Sequence, residues 1–138
     1  MEASPDEPAR TVSLAIPAKP DYVVLARLAL SAVCRLSPLA PEEVADLKLA
    51  ITEAATYLMG GERRQAAREA EEDGEARILF EFDLGDDALT LDVSGEEKPT
   101  VSAEERELSL ALIKATVDSY DYSTGRMRLT KQLDYAAE

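Results

Sequence analysis

Two sets of residues have types and spacing that could do chemistry. Glu53 and Tyr57 place a carboxylate and a phenol four residues apart, on a stripe that starts with Asp46 and Ala50. At helical spacing the pair shares one face. Arg27, Ser31 and Arg35 fall at i, i+4 and i+8 and form a polar stripe elsewhere in the chain. The usual catalytic partners are missing. The chain has no histidine, which excludes Ser-His, Cys-His and His-metal mechanisms. Its single cysteine, Cys34, excludes an internal disulfide and a cysteine-based zinc site. Glu53 is therefore a working base or a plain helix-surface carboxylate. Arg27 is a contact residue or a solvent-facing arginine. Cys34 reads as a small core residue rather than a redox switch.

Composition narrows the choice. The chain has 138 residues, 46% of them hydrophobic and 31% charged, which fits one globular domain. Fifteen basic residues stand against 28 acidic ones, a net charge of −13. That charge disfavours nonspecific nucleic-acid binding and anionic membranes, and it sets a long-range repulsion before polyanions such as ATP. No apolar run reaches the ~18–20 residues of a membrane span. Residues 1–10 are polar and acidic with two prolines, unlike a signal peptide. A cytoplasmic location is expected.

The elements that must position these residues follow from periodicity. Residues 1–10 read as a flexible tail and 11–138 as a single domain. Thr11 to Ala18 alternates Val12, Leu14 and Ile16, a strand pattern. Asp21 is the expected N-cap of a helix from Tyr22 to about Leu36, apolar nearly all round except for the Arg27, Ser31, Arg35 stripe. Pro41 opens a second helix, with Glu42 and Glu43 at its positive end and Gly60-Gly61 as its stop. Val44, Leu47, Ile51, Ala55 and Leu58 form its buried stripe. Residues 62–75 are highly charged, an exposed extension or a mobile loop. Arg77–Asp83 and Ala88–Ser94 alternate around a Gly85-Asp86-Asp87 turn and form a hairpin. Ala103 to about Asp118 reads as a third helix with Leu108, Leu112 and Ala115 inward. A second hairpin turns near Thr124-Gly125. The order βααββαββ predicts an α+β two-layer sandwich, one mixed or mostly antiparallel sheet with helices on one face.

Several strings resemble a known family. Ile16–Val33 (IPAKPDYVVLARLALSAV), Glu42–Ala54 (EEVADLKLAITEA) and Leu129–Leu133 (LTKQL) are similar to the first helix, second helix and last strand of anti-sigma factor serine kinases. The resemblance spans most of residues 12–133. It implies the histidine-kinase-like ATPase fold, whose nucleotide chemistry sits in three boxes. The first is E-x-x-x-N on the second helix, where a glutamate serves as base and an asparagine ligates Mg²⁺. Here Glu53 keeps the glutamate position and Tyr57 replaces the asparagine. A neutral phenol is a poor Mg²⁺ ligand, and Tyr57 is either a half-buried aromatic or a plug in the old pocket. The second is D-x-G-x-G after the hairpin, where the aspartate holds adenine. Gly95 stands in place of that aspartate and Glu97 in place of a glycine. The third is a glycine-rich stretch whose N–H groups cradle the phosphates. Arg106-Glu107-Leu108-Ser109-Leu110 replaces it, so Glu107 and Ser109 stand at phosphate-binding positions. The segment between the last two boxes is short.

The resemblance and the eroded boxes together imply a protein-binding regulator. Its partners would be a sigma factor, an anti-anti-sigma antagonist, or both, with the nucleotide site lost and no metal or cofactor required. Arg27 matches an arginine with which the family contacts these partners, and Arg27, Ser31 and Arg35 are the candidate binding stripe. The family also implies a homodimer. The alternative is an active serine kinase that uses Mg²⁺-ATP and Glu53. A third reading is a sensor that holds another small ligand in the vacated pocket.

Overall fold

The computed structural model describes residues 10–60, 76–95 and 101–134. The charged 62–75 segment, Gly61, Glu97 and residues 1–9 lie outside the described residues. Five strands form one sheet: β1 (Thr11–Pro17), β2 (Arg77–Leu84), β3 (Ala88–Ser94), β4 (Ser119–Ser123) and β5 (Arg126–Gln132). Their order is β1-β2-β3-β5-β4 and every pairing is antiparallel. Of the two sheet types left open by the sequence, the structure therefore has the antiparallel one. Among the described residues three helices cover it: α1 (Val23–Cys34), α2 (Pro41–Leu58) and α3 (Ala103–Thr116).

Alternation along the strands sorts the two faces. Ile16, Ile78, Phe80, Phe82, Leu91, Val93, Met127 and Leu129 are buried under the helices. The opposite face carries Glu81, Asp92, Arg126 and Arg128, with Asp92 bridged to both arginines. Helix α2 is the central helix and packs on both α1 and α3. Ala50, Ala54 and Ala55 are fully buried and let it lie close to its neighbours. Its first turn is held by the Glu43 carboxylate, which accepts from the Ala40 N–H at 2.8 Å. Gly60, at φ 95°, ends it.

Two local expectations need correction. Asp21 does not cap α1. It lies inside a 3-10 turn, Pro20–Tyr22, and α1 begins after Tyr22 without a side-chain cap. The Lys19-Pro20 step sets this turn, because proline's fixed φ starts it one residue too early for Asp21 to cap. Helix α1 is apolar nearly all round, as its sequence reads, but it is not buried all round. Val24, Leu25 and Leu28 are exposed together with Arg27 and Arg35, because α1 has only α2 and the β1–β2 edge to cover it. In α3 the inward stripe is Ser109, Ile113 and Thr116, while Leu108, Leu112 and Ala115 face solvent. The facing side is offset by one residue, and the reason lies in the site described next.

Candidate functional site

Helix α2 carries Glu53 half-buried and Tyr57 buried on its α3-facing side. Ser109, in the middle of α3, donates its hydroxyl to Glu53 Oε2 at 2.5 Å. That is a short, charge-assisted hydrogen bond. It joins residues 56 positions apart and turns Ser109 inward, so Leu108 is left outside. Tyr57 meets Tyr122 of β4 edge to face, with ring centroids 5.6 Å apart and planes at 81°. Glu53, Thr56, Tyr57, Val101, Glu105, Leu108 and Ser109 line a cleft of about 230 Å³ between α2 and α3.

The start of α3 fixes the electrostatics of that cleft. Ser102 is the N-cap. Its hydroxyl accepts from the Glu105 N–H at 3.1 Å, and Glu105 Oε1 accepts from the Ser102 N–H at 3.3 Å. The Arg106 N–H is engaged by the Ser102 carbonyl at 2.9 Å. The helix thus begins before Arg106–Leu110, and the N–H groups of that stretch point back along its own axis. Glu104 and Glu105 occupy the first turn. The positive end of the helix dipole is met by the protein's own carboxylates.

Of the residues singled out in the sequence, the fold brings together Glu53, Tyr57 and Ser109. Glu107 is exposed and does not line the cleft. Gly95 lies at the end of β3, where an added Cβ would stand 3.2 Å from Leu58 Cβ and 3.3 Å from the Leu58 carbonyl oxygen. Arg27, Ser31 and Arg35 line a different groove, between α1 and α2. Sequence reasoning missed Glu105. The S-x-x-E spacing of Ser102 and Glu105 was the available signal. Nothing local announces the Glu53–Ser109 contact.

A model of the histidine kinase-like ATPase domain matches residues 16–132. The chain belongs to this family. The five-stranded antiparallel sheet and three helices of the described residues agree with that ATPase fold, and the resemblance drawn from the first helix, second helix and last strand stands. Among histidine kinase-like ATPase relatives, the serine-protein kinase RsbW of Listeria innocua is 39% identical over 83 residues, 60% of this chain and 48% of that protein. RsbW of Listeria monocytogenes serovar 1/2a matches to the same extent. RsbW of Bacillus pumilus is 38% identical over 69 residues, 50% of this chain and 41% of its own length. The chain thus aligns with about half the length of these curated relatives. Among the described residues, no helix is long and apolar enough to cross a membrane.

The Tyr57 phenol has its pKa raised, first by burial and then by hydrogen bonding with Tyr122. The folded state therefore holds this proton more tightly than the unfolded chain does. Its contribution to stability is complete below the unfolded value of about 10 and is lost as pH rises through the folded value. Tyr57→Phe is expected to flatten the fall of the urea midpoint between pH 9 and 11 relative to wild type. Parallel profiles would place Tyr57 in a solvent-like setting.

Proposed function

We propose that the protein is an anti-sigma regulatory factor that acts by binding a sigma factor, an anti-anti-sigma antagonist, or both, and transfers no phosphate. The observation that carries this reading is the Ser109–Glu53 hydrogen bond. The glutamate that would activate an attacking hydroxyl is occupied by a side chain of the helix that should open at the phosphates. The other residues point the same way. Mg²⁺ favours several oxygen ligands in near-octahedral array, and at the ligand position Tyr57 offers one neutral phenol engaged with Tyr122. Glu104 and Glu105 add negative charge where phosphates would sit, in a chain already at −13. A side chain at Gly95 has no room beside Leu58. By donor set, charge and space these residues are a poor fit to Mg²⁺-ATP. What supports the protein-binding half is family membership and the likeness to RsbW proteins. A homodimer in the cytoplasm belongs to the same reading.

Calorimetric titration of Mg²⁺-ATP and Mg²⁺-ADP into the purified protein tests it. No binding heat up to millimolar nucleotide is expected. Micromolar binding would overturn the reading in favour of an active serine kinase with Glu53 as base. Phosphate transfer to candidate antagonists would then be measured.

A further inference from the structure

The α2–α3 cleft that suits Mg²⁺-ATP poorly has a chemistry of its own. Its lining holds two half-buried carboxylates, Glu53 of α2 and Glu105 of α3, and no basic side chain. Each carboxylate has one oxygen engaged. Glu53 Oε2 accepts from the Ser109 hydroxyl, and Glu105 Oε1 accepts from the Ser102 N–H. Glu53 Oε1 and Glu105 Oε2 meet no donor among the described residues, and neither side chain is in an ion pair there. Asp92, Glu43 and Asp118, by contrast, are each met by a cation. Thr56 adds a hydroxyl to the lining, Tyr57 an aromatic ring, and Val101 and Leu108 apolar surface. Arg106 acts electrostatically on the Tyr57 phenol from α3, but it is exposed and lies outside the lining.

Resting on the reading that the nucleotide site is lost, we propose that this cleft binds a short linear diamine, one ammonium on Glu53 and the other on Glu105. Spacing, charge and lining define that ligand. Ser109, which holds Glu53, and Glu105 stand one turn apart on α3, about 6 Å at helical rise. The two nitrogens of an extended four-carbon diamine are also about 6 Å apart. Each ammonium donates to a carboxylate oxygen that has no other donor, a charge-assisted bond in a half-buried setting. Thr56 offers a further acceptor, and the Tyr57 ring attracts a cation. Val101 and Leu108 cover the methylenes. The net charge of −13, which opposes ATP, draws a cation in. A divalent metal is a poorer occupant. No group of three or more His, Cys, Asp or Glu side chains among the described residues could hold one, and Mg²⁺ or Ca²⁺ takes about six or more oxygen ligands. The cleft, at about 230 Å³, has room for the diamine.

The probe is tetramethylenediamine, followed by calorimetry and by backbone amide shifts of the full chain. Controls are n-butylamine, which has one ammonium, and Ca²⁺. For a ligand of about six non-hydrogen atoms, saturation is expected at about 0.1–1 mM in low salt. Binding should weaken as salt rises and shift amides of residues 53–57 and 101–109. The monoamine is expected to bind at least about tenfold more weakly, and equimolar Ca²⁺ not to displace the diamine. Glu53→Gln and Glu105→Gln each keep an acceptor for Ser109 or Ser102 and remove the charge. Each is expected to lower affinity at least about fivefold with an unchanged urea midpoint. Glu42→Gln with Asp46→Asn removes two exposed carboxylates elsewhere on α2 and should leave affinity unchanged. Equal binding of the monoamine, displacement by Ca²⁺, shifts centred elsewhere, or an equal loss in that surface control would overturn the proposal. So would failure to saturate by about 10 mM. Micromolar Mg²⁺-ATP binding would sink the reading beneath it, whereas silence towards both nucleotide and diamine would sink this proposal alone.

Discussion

Replacing Gly95 by aspartate is expected to destabilise the fold by about 2–3 kcal/mol without creating a nucleotide site. The substitution restores the side chain that holds adenine in the family motif. The position cannot accept it cheaply. A Cβ there would lie 2.8 Å from Ile78 Cδ1, 3.2 Å from Leu58 Cβ and 3.3 Å from the Leu58 carbonyl oxygen. Ile78 Cδ1 is the end of a flexible side chain and can swing aside. Leu58 cannot, because it is fully buried in the last turn of α2. The conflict is one of space, since Gly95 has no positive φ. Its N–H also donates to the Gly125 carbonyl at 2.8 Å, which ties the end of β3 to the β4–β5 turn. Gly95→Ala is expected to cost about 1–2 kcal/mol, and the aspartate more, because its carboxylate must be placed near the Leu58 carbonyl oxygen. Urea midpoints at constant slope measure both. A cost below about 0.5 kcal/mol for Gly95→Asp would mean that the end of β3 moves freely. The motif would then have drifted without structural consequence.

Gly95 also shows where the sequence was informative and where it was not. The missing adenine aspartate was legible by motif, but the reason nothing can stand there was not. That reason is the approach of α2 to the end of β3, a contact between distant segments. The hairpin of β2 and β3 was legible because Ile78, Phe80 and Phe82 alternate against Leu89, Leu91 and Val93 around a glycine turn. Period-2 alternation assigns a whole strand face at once. Helix α3 was misread for the opposite reason. Leu108, Leu112 and Ala115 form one apolar stripe, but Leu110, Ile113 and Val117 form a second, and hydrophobicity alone does not choose between them. The fold instead turns inward the stripe that begins at Ser109, whose hydroxyl finds Glu53. Ile113 and Val117 are buried and Leu110 packs against the core on that side, so the inward face is apolar as well and carries the Ser109–Glu53 contact with it. The α1–α2 groove was half legible. The polar stripe of Arg27, Ser31 and Arg35 was visible, but Lys48 and the apolar lining come from another helix.

Phe80→Ala is expected to have the largest effect on stability, about 3–5 kcal/mol. Phe80 is fully buried on β2, opposite Leu14 of β1 and Val93 of β3. Its ring lies nearly parallel to that of Phe82, 9° between planes, with centroids 6.4 Å apart. Removing the ring leaves a cavity under the helical layer that the sheet cannot close, because both flanking strands are held in register by their ladders. Phe80→Leu keeps most of the volume and is expected to cost about 1–1.5 kcal/mol. Against a total stability of roughly 5–15 kcal/mol, the alanine variant brings the domain near its threshold. A loss below about 2 kcal/mol for Phe80→Ala would mean that the helices settle onto the cavity.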